Sequence, residues 1–343
     1  MSNLSIANTT TSLIDSSRVA NGTGQKASVI KMGCDLGNGF CKTNGHRFAS
    51  AAALKTLPKV NGRMEGHHQV TIDGEDWEVG RGEKFIRNNR YKTDEYKVCL
   101  LTAIAMEAKR RGITSSDLLV EICVGLPQDL HKQPGVVEDL QAELLSWEKV
   151  NVQVDNDIAS GINANYNIKI RKVLVFVEGA LCLMTEDLSE TLTMDIGAGT
   201  YNAVLWSGGS IVADDTQKMG AQVIFAAIAN QIKQKYQTTV TPADVERIIM
   251  SGQYALHLNN SQTATDLSKD FDRWIRLCVG KMYNKLFENP DFNLDTIQKV
   301  QFLGGGSTFT FPYWHELIGE KAVFIDNAQF INSEIYEAVI NNA

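Results

Sequence analysis

The chain has 343 residues, 43% of them hydrophobic and 21% charged, with a formal net charge of −7. This is an ordinary globular composition with length for two domains, and its acids and bases are interspersed, without the basic stripe of a dedicated nucleic-acid surface. No run approaches the ~20 apolar residues of a membrane helix, and Cys34, Cys41, Cys99, Cys123, Cys182 and Cys278 show no C-x-x-C or other metal-ligand spacing, so they read as reduced core thiols of a cytoplasmic protein.

The first 27 residues are rich in Ser, Thr and Asn and have no basic stretch followed by an apolar core. They read as a disordered leader outside the fold, not as a signal peptide. The apolar run Val29–Cys34 then enters Asp35-Leu36-Gly37-Asn38-Gly39 and leaves as Phe40-Cys41-Lys42-Thr43, a strand, a D-x-G-x-G turn and a second strand. His46 to Ser50 is strand-like, and His67-His68 reads as a solvated loop. Gln69–Ile72 turns at Asp73-Gly74 into Trp77–Val79, a strong hairpin signal. Lys92 to Arg111 reads as a helix with Tyr96, Cys99, Leu100, Ala103, Ile104 and Met106 on one face, closed by Gly112. Arg110 and Arg111 suit the negative end of its dipole. Leu118–Val124 is a buried strand leading to Gly125-Leu126-Pro127, and Val136–Trp147 is an amphipathic helix. Strands Asn151–Val154 and Ile168–Val177 flank a polar loop containing Asp155-Asn156-Asp157. Glu178-Gly179-Ala180 and a helix to about Leu188 follow.

At Thr191–Met194 the opening of the chain recurs: Asp195-Ile196-Gly197-Ala198-Gly199 and then Thr200–Trp206, 160 positions after the first copy. Helices are expected over Gly220–Tyr236, from Thr241-Pro242, and over Lys269–Phe287, with Thr241 as N-cap and Pro242 in the first turn. Strand Ile297–Leu303 delivers Gly304-Gly305-Gly306-Ser307. A strand Ala322–Ile325 and a helix Asn332–Ile340 close the chain. Trp77, Trp147, Trp206, Trp274 and Trp314 read as packing or subunit-contact residues.

The paired turns carry the chemistry. Glycines let a backbone turn sharply and bring its N–H groups against a ligand, a nest of amides suits phosphate oxygens, and an entering aspartate suits a hydrated cation. Two such hairpins are expected to grip the phosphates of one nucleotide from opposite sides through Mg²⁺, in the cleft of an internally duplicated α/β protein. Lys42 either reaches a phosphate or is an exposed strand lysine.

These residues resemble the actin-like ATPase superfamily, to which sugar kinases also belong, and within it the bacterial plasmid-segregation actins of the ParM type. The superfamily resemblance lies in Asp35–Gly39, Asp195–Thr200 and Leu303–Ser307, and the ParM likeness runs over roughly residues 28–340 and rests first on the compact size. It is supported by Asp73–Gly80, Asp94-Glu95-Tyr96, Gly125-Leu126-Pro127 and Glu178-Gly179-Ala180. One departure is Val177, where the family usually has proline before the glutamate. The resemblance implies a duplicated actin-like (RNase H-like) fold. Domain I would span 28–190, with a C-terminal helix at about 327–343 returning to it, and domain II would span 191–326. It implies Asp35 and Asp195 on hydrated Mg²⁺, and phosphates held by Gly37, Asn38, Gly39, Gly197, Ala198, Gly199 and Thr200. Glu178 would orient the attacking water, and Gly304, Gly305, Gly306 and Ser307 would lie against the adenosine. The implied activity is hydrolysis of ATP or GTP coupled to filament assembly, which moves plasmid DNA through a DNA-binding adaptor protein, without direct nucleic-acid or membrane contact. The alternative is a small-molecule (sugar) kinase of the same fold with Asp157 as its base.

Overall fold

The computed structural model describes residues 19–20, 26–55, 67–84, 89–155, 163–181, 188–258 and 262–343. Asp157 and most of the helix expected before Leu188 lie outside them. The first strand, β1 (Val19–Ala20), pairs antiparallel with β2 (Lys26–Leu36), Val19 opposite Ala27 and Ala20 opposite Lys26. Part of the expected leader is therefore sheet, because main-chain groups at the start of β2 take their hydrogen-bond partners there.

Next come β3 (Phe40–Lys42), β4 (Arg47–Ala49), β5 (Ala51–Leu54) and the hairpin of β6 (His68–Ile72) with β7 (Glu75–Lys84). Asp73 and Gly74 both take positive φ at its tip, the geometry a two-residue hairpin turn demands. His68 is not in a solvated loop. It is a buried strand residue set edge-on to Phe48. Helix α1 (Asp94–Arg110) starts where the Thr93 hydroxyl accepts the Tyr96 amide at 3.2 Å, and it buries every residue from Val98 to Ala108. It is thus covered on all sides rather than along one stripe. The half is completed by β8 (Asp117–Leu126), α2 (Gln128–His131), α3 (Val136–Ser146), β9 (Val150–Val154) and β10 (Ala164–Val177).

The second half contains β11 (Thr191–Ile196), β12 (Tyr201–Ser207), β13 (Ser210–Gln217), α4 (Ala221–Tyr236) and α5 (Pro242–Ser251). A small ribbon of β14 (Ala255–Leu256) and β15 (Thr265–Asp266) precedes α6 (Ser268–Phe287). Then follow β16 (Lys299–Leu303), α7 (Ser307–Ile318), β17 (Ala322–Phe324) and α8 (Ile331–Asn342).

The duplication is written in the strand order. One sheet runs β4-β3-β2-β8-β10 and continues through β9-β6-β7-β5; the other runs β13-β12-β11-β16-β17. In each, a three-strand antiparallel meander is followed by two strands parallel to its first, so both cores share one topology. Each sheet has its own apolar core. A third cluster joins Cys123 of β8 and Leu303 of β16 to Ile331, Ile335, Tyr336 and Ile340 of α8. Glycines in the strands let α8 approach closely: a Cβ on Gly33 would lie 2.2 Å from the Ser333 carbonyl oxygen, and one on Gly125 2.0 Å from the Tyr336 hydroxyl.

Candidate functional site

Strands β2, β8 and β10 are parallel, as are β11 and β16, so their carboxyl ends share an edge, where open α/β sheets bind ligands. Asp35 sits next to last in β2 and Asp195 next to last in β11, while Glu178 directly follows β10. Each turn closes on itself: Gly37 N–H donates to the Phe40 carbonyl at 3.1 Å and Gly197 N–H to the Thr200 carbonyl at 2.9 Å. These two amides are therefore occupied within the hairpins. The amides of Asn38, Gly39, Ala198 and Gly199 donate to no main-chain carbonyl among the described residues. The turns also meet, since a Cβ on Gly39 would lie 2.7 Å from the Ala198 Cβ, and one on Gly199 3.4 Å from Asn38 Nδ2.

Three buried carboxylates lie at this meeting point, Asp35 (4% exposed), Asp195 (6%) and Glu178 (8%). Lys42, opposite Asp35 in the ladder, donates from Nζ to Asp35 Oδ2 at 2.9 Å. It is no exposed strand lysine. Burial disfavours its charge, but Asp35, Asp195 and Glu178 outweigh that and raise its pKa. The equivalent position in the second hairpin, opposite Asp195, is Asn202, whose Nδ2 donates to Glu178 Oε2 at 2.8 Å. Burial, with Asp35 and Asp195 adding, pushes the Glu178 carboxyl up to about 8 against the opposing charges of Arg90 and Lys42. Burial and the Asp35 charge likewise raise Asp195, although Lys42 and a hydrogen bond from Asn332 counter them. Burial and the neighbouring carboxylates thus oppose ionisation of Glu178 and Asp195, and a divalent cation would favour their charged forms. The donor set fits hydrated Mg²⁺ at Asp35 and Asp195, with phosphate oxygens at the uncommitted amides.

Gly304–Gly306 form the turn from β16 into α7. Gly304, at φ +78°, presses on Asp195, and a Cβ there would lie 2.3 Å from Asp195 Oδ1. Ser307 is buried and its hydroxyl donates to the Leu303 carbonyl, so that oxygen is engaged by the main chain. Asp157 is outside the described residues. Its neighbour Asp155 follows Val154, which pairs with Ala164 at the end of β10 opposite Glu178.

Three residues escaped the sequence reading. Asn202 was readable by symmetry, seven residues after Asp195 as Lys42 is after Asp35. Arg90, buried just before α1, donates from Nη1 to Asn38 Oδ1 in the first turn. No spacing announces it. Asn332 is far from every glycine motif, yet its Nδ2 donates to Asp195 Oδ2 at 2.7 Å.

A family model described as "Actin like proteins N terminal domain" matches residues 33–180, and another described as "Alp7A C-terminal domain" matches 190–329. The chain belongs to the actin-like protein family. No curated protein sequence matches this actin-like protein. Its fold is shared by Ta0583, an archaeal actin homolog, at TM-score 0.68 and 17% identity over 92% of this chain and 100% of the other. A Bacillus thuringiensis ParM solved with ATP is similar at TM-score 0.64 and 15% identity, over 91% and 98%. The subunit of a 15-stranded ParM filament from Clostridium botulinum is similar at TM-score 0.65 and 15% identity, over 91% and 99%. Among the described residues of this actin-like protein, no helix is long and apolar enough to cross a membrane.

Proposed function

We propose that this actin-like protein hydrolyses ATP, or GTP, and assembles with copies of itself into filaments that move plasmid DNA in the cytoplasm through a DNA-binding adaptor. The observation that carries the reading is the meeting of two D-x-G-x-G turns over Asp35, Asp195 and Glu178, one from each half of a duplicated fold. The ParM solved with ATP and the ParM filament support nucleotide and self-association respectively.

Asp35 and Asp195 hold hydrated Mg²⁺, which when bound neutralises phosphate charge. Amides of Asn38, Gly39, Ala198, Gly199 and Thr200 orient the β- and γ-phosphates, with Lys42 as a further cation, and Gly304–Gly306 pack against the adenosine. Glu178, held by Asn202, orients the attacking water; phosphoryl transfer asks the protein for positioning and charge stabilisation rather than covalent help. Residues 28–190 with the C-terminal helix, and 191–326, form the two domains of this reading. Loss of the γ-phosphate removes contacts shared by the two turns, so the halves reorient and subunit affinity changes. The kinase alternative is disfavoured because the strand ends flanking Asp157 lie across the sheet from the carboxylates.

Phosphate release from Mg²⁺-ATP by wild type and Glu178→Ala tests this. The variant is expected to lose about 10² in turnover or more while still binding nucleotide, and no sugar is needed. Turnover by wild type only when a sugar is added would overturn the proposal.

A further inference from the structure

The C-terminal helix enters the site through one side chain. Asn332, in the first turn of α8, is buried and has both ends of its amide committed. Its Oδ1 accepts the Gly179 N–H at 3.1 Å, and its Nδ2 donates to Asp195 Oδ2 at 2.7 Å. A main-chain donor on one side and a carboxylate on the other fix the amide's orientation and require a group that both accepts and donates. Gly179 follows Glu178 directly and takes φ +78°, a left-handed conformation that its neighbours must hold in place. Its carbonyl accepts the Thr193 hydroxyl of β11 at 2.8 Å, and the Glu178 N–H donates to the Leu126 carbonyl of β8 at 2.9 Å. Glu178 closes a strand of the first sheet and Asp195 closes one of the second. Asn332 is bonded to both segments from a helix that packs on the first.

We propose that Asn332 is a positioning residue that sets the Glu178 segment and the Asp195 carboxylate in one frame, so that the C-terminal helix controls the hydrolytic geometry. This rests on the ATPase reading. It assigns α8 a role beyond covering β2 and β8: a shift of the helix moves the water-orienting and metal-holding groups relative to each other. The amide reaches the site only through Gly179 and Asp195.

Asn332→Ala removes both bonds. In the full chain without nucleotide, hydrogen exchange at the Gly179 amide is expected to quicken about tenfold or more while the interior of β11 stays protected. With Mg²⁺-ATP, single-turnover hydrolysis is expected to fall about 10- to 100-fold, the scale of outer-shell losses, with a smaller change in nucleotide affinity. In a Glu178→Ala background the same substitution is expected to cost less turnover than in wild type, because only its hold on Asp195 then remains to be lost. Asn332→Ser, which keeps a hydroxyl donor, is the second variant if alanine does not fold; it is expected to lose less turnover and to quicken Gly179 exchange likewise. Unchanged Gly179 exchange, or an equal loss of turnover in both backgrounds, overturns the proposal while leaving the ATPase reading intact. Absence of turnover in wild type overturns both.

Discussion

Glu178 carries a stability cost in the folded protein. Its folded-state value of about 8 stands above the ordinary 4.5. Between those values the unfolded chain releases a proton that the folded protein keeps, so stability falls as pH rises through the window and levels off above it. Glu178→Gln is expected to be more stable than wild type at neutral pH without nucleotide, by a margin that grows up to pH ~8. Urea titrations from about pH 5 to about pH 9 check this; parallel pH dependences in the two proteins would contradict it. The two aspartates were legible in sequence because glycine turns follow them; Glu178 came from the family resemblance, and Lys42 was left open between a phosphate contact and an exposed strand position. Asn202 needed the register of the second hairpin. Arg90 and Asn332 needed the tertiary fold, since each reaches its partner from an unrelated element. Arg110 and Arg111 also exceed their helix-end role: both bond the buried Glu107, and Arg111 continues to Glu337 of α8.

Elements with a clean period were readable, and those with conflicting local signals were not. Helix α7 contains Thr-Phe-Thr-Phe-Pro, β-branched and aromatic residues followed by Pro312, which lacks the N–H its turn would use. Packing of Trp314, Phe309 and Phe311 against the second core overrides that bias. Strand β13 was marked only by Gly208-Gly209, both at positive φ in the tight turn before it. The close packing of α8 has its own test. Gly125→Ala would drive a Cβ to 2.0 Å from the Tyr336 hydroxyl, and overpacking of this kind is expected to cost about 1–3 kcal/mol. That hydroxyl has no partner among the described residues, so Tyr336→Phe is expected to be neutral or stabilising by about 1 kcal/mol. Denaturant midpoints of the two variants decide it, and a neutral Gly125→Ala would show that the helix is free to move away.

At the scale of the molecule, the repeat of D-x-G-x-G 160 positions apart corresponds to two sheets of the same topology. The duplication was thus readable from two short motifs. The four further strands β9, β6, β7 and β5 on the first sheet have no counterpart in the second, and no repeat signal could announce them. Clusters at Cys123–Leu303–Tyr336 and at Val177–Val204–Trp206 link the halves through apolar contacts. The most direct test of the central claim is light scattering with parallel phosphate release after Mg²⁺-ATP is added to the purified chain. Scattering is expected to rise, then decay as phosphate appears. Steady phosphate release with flat scattering at every protein concentration would contradict filament assembly and leave a monomeric ATPase.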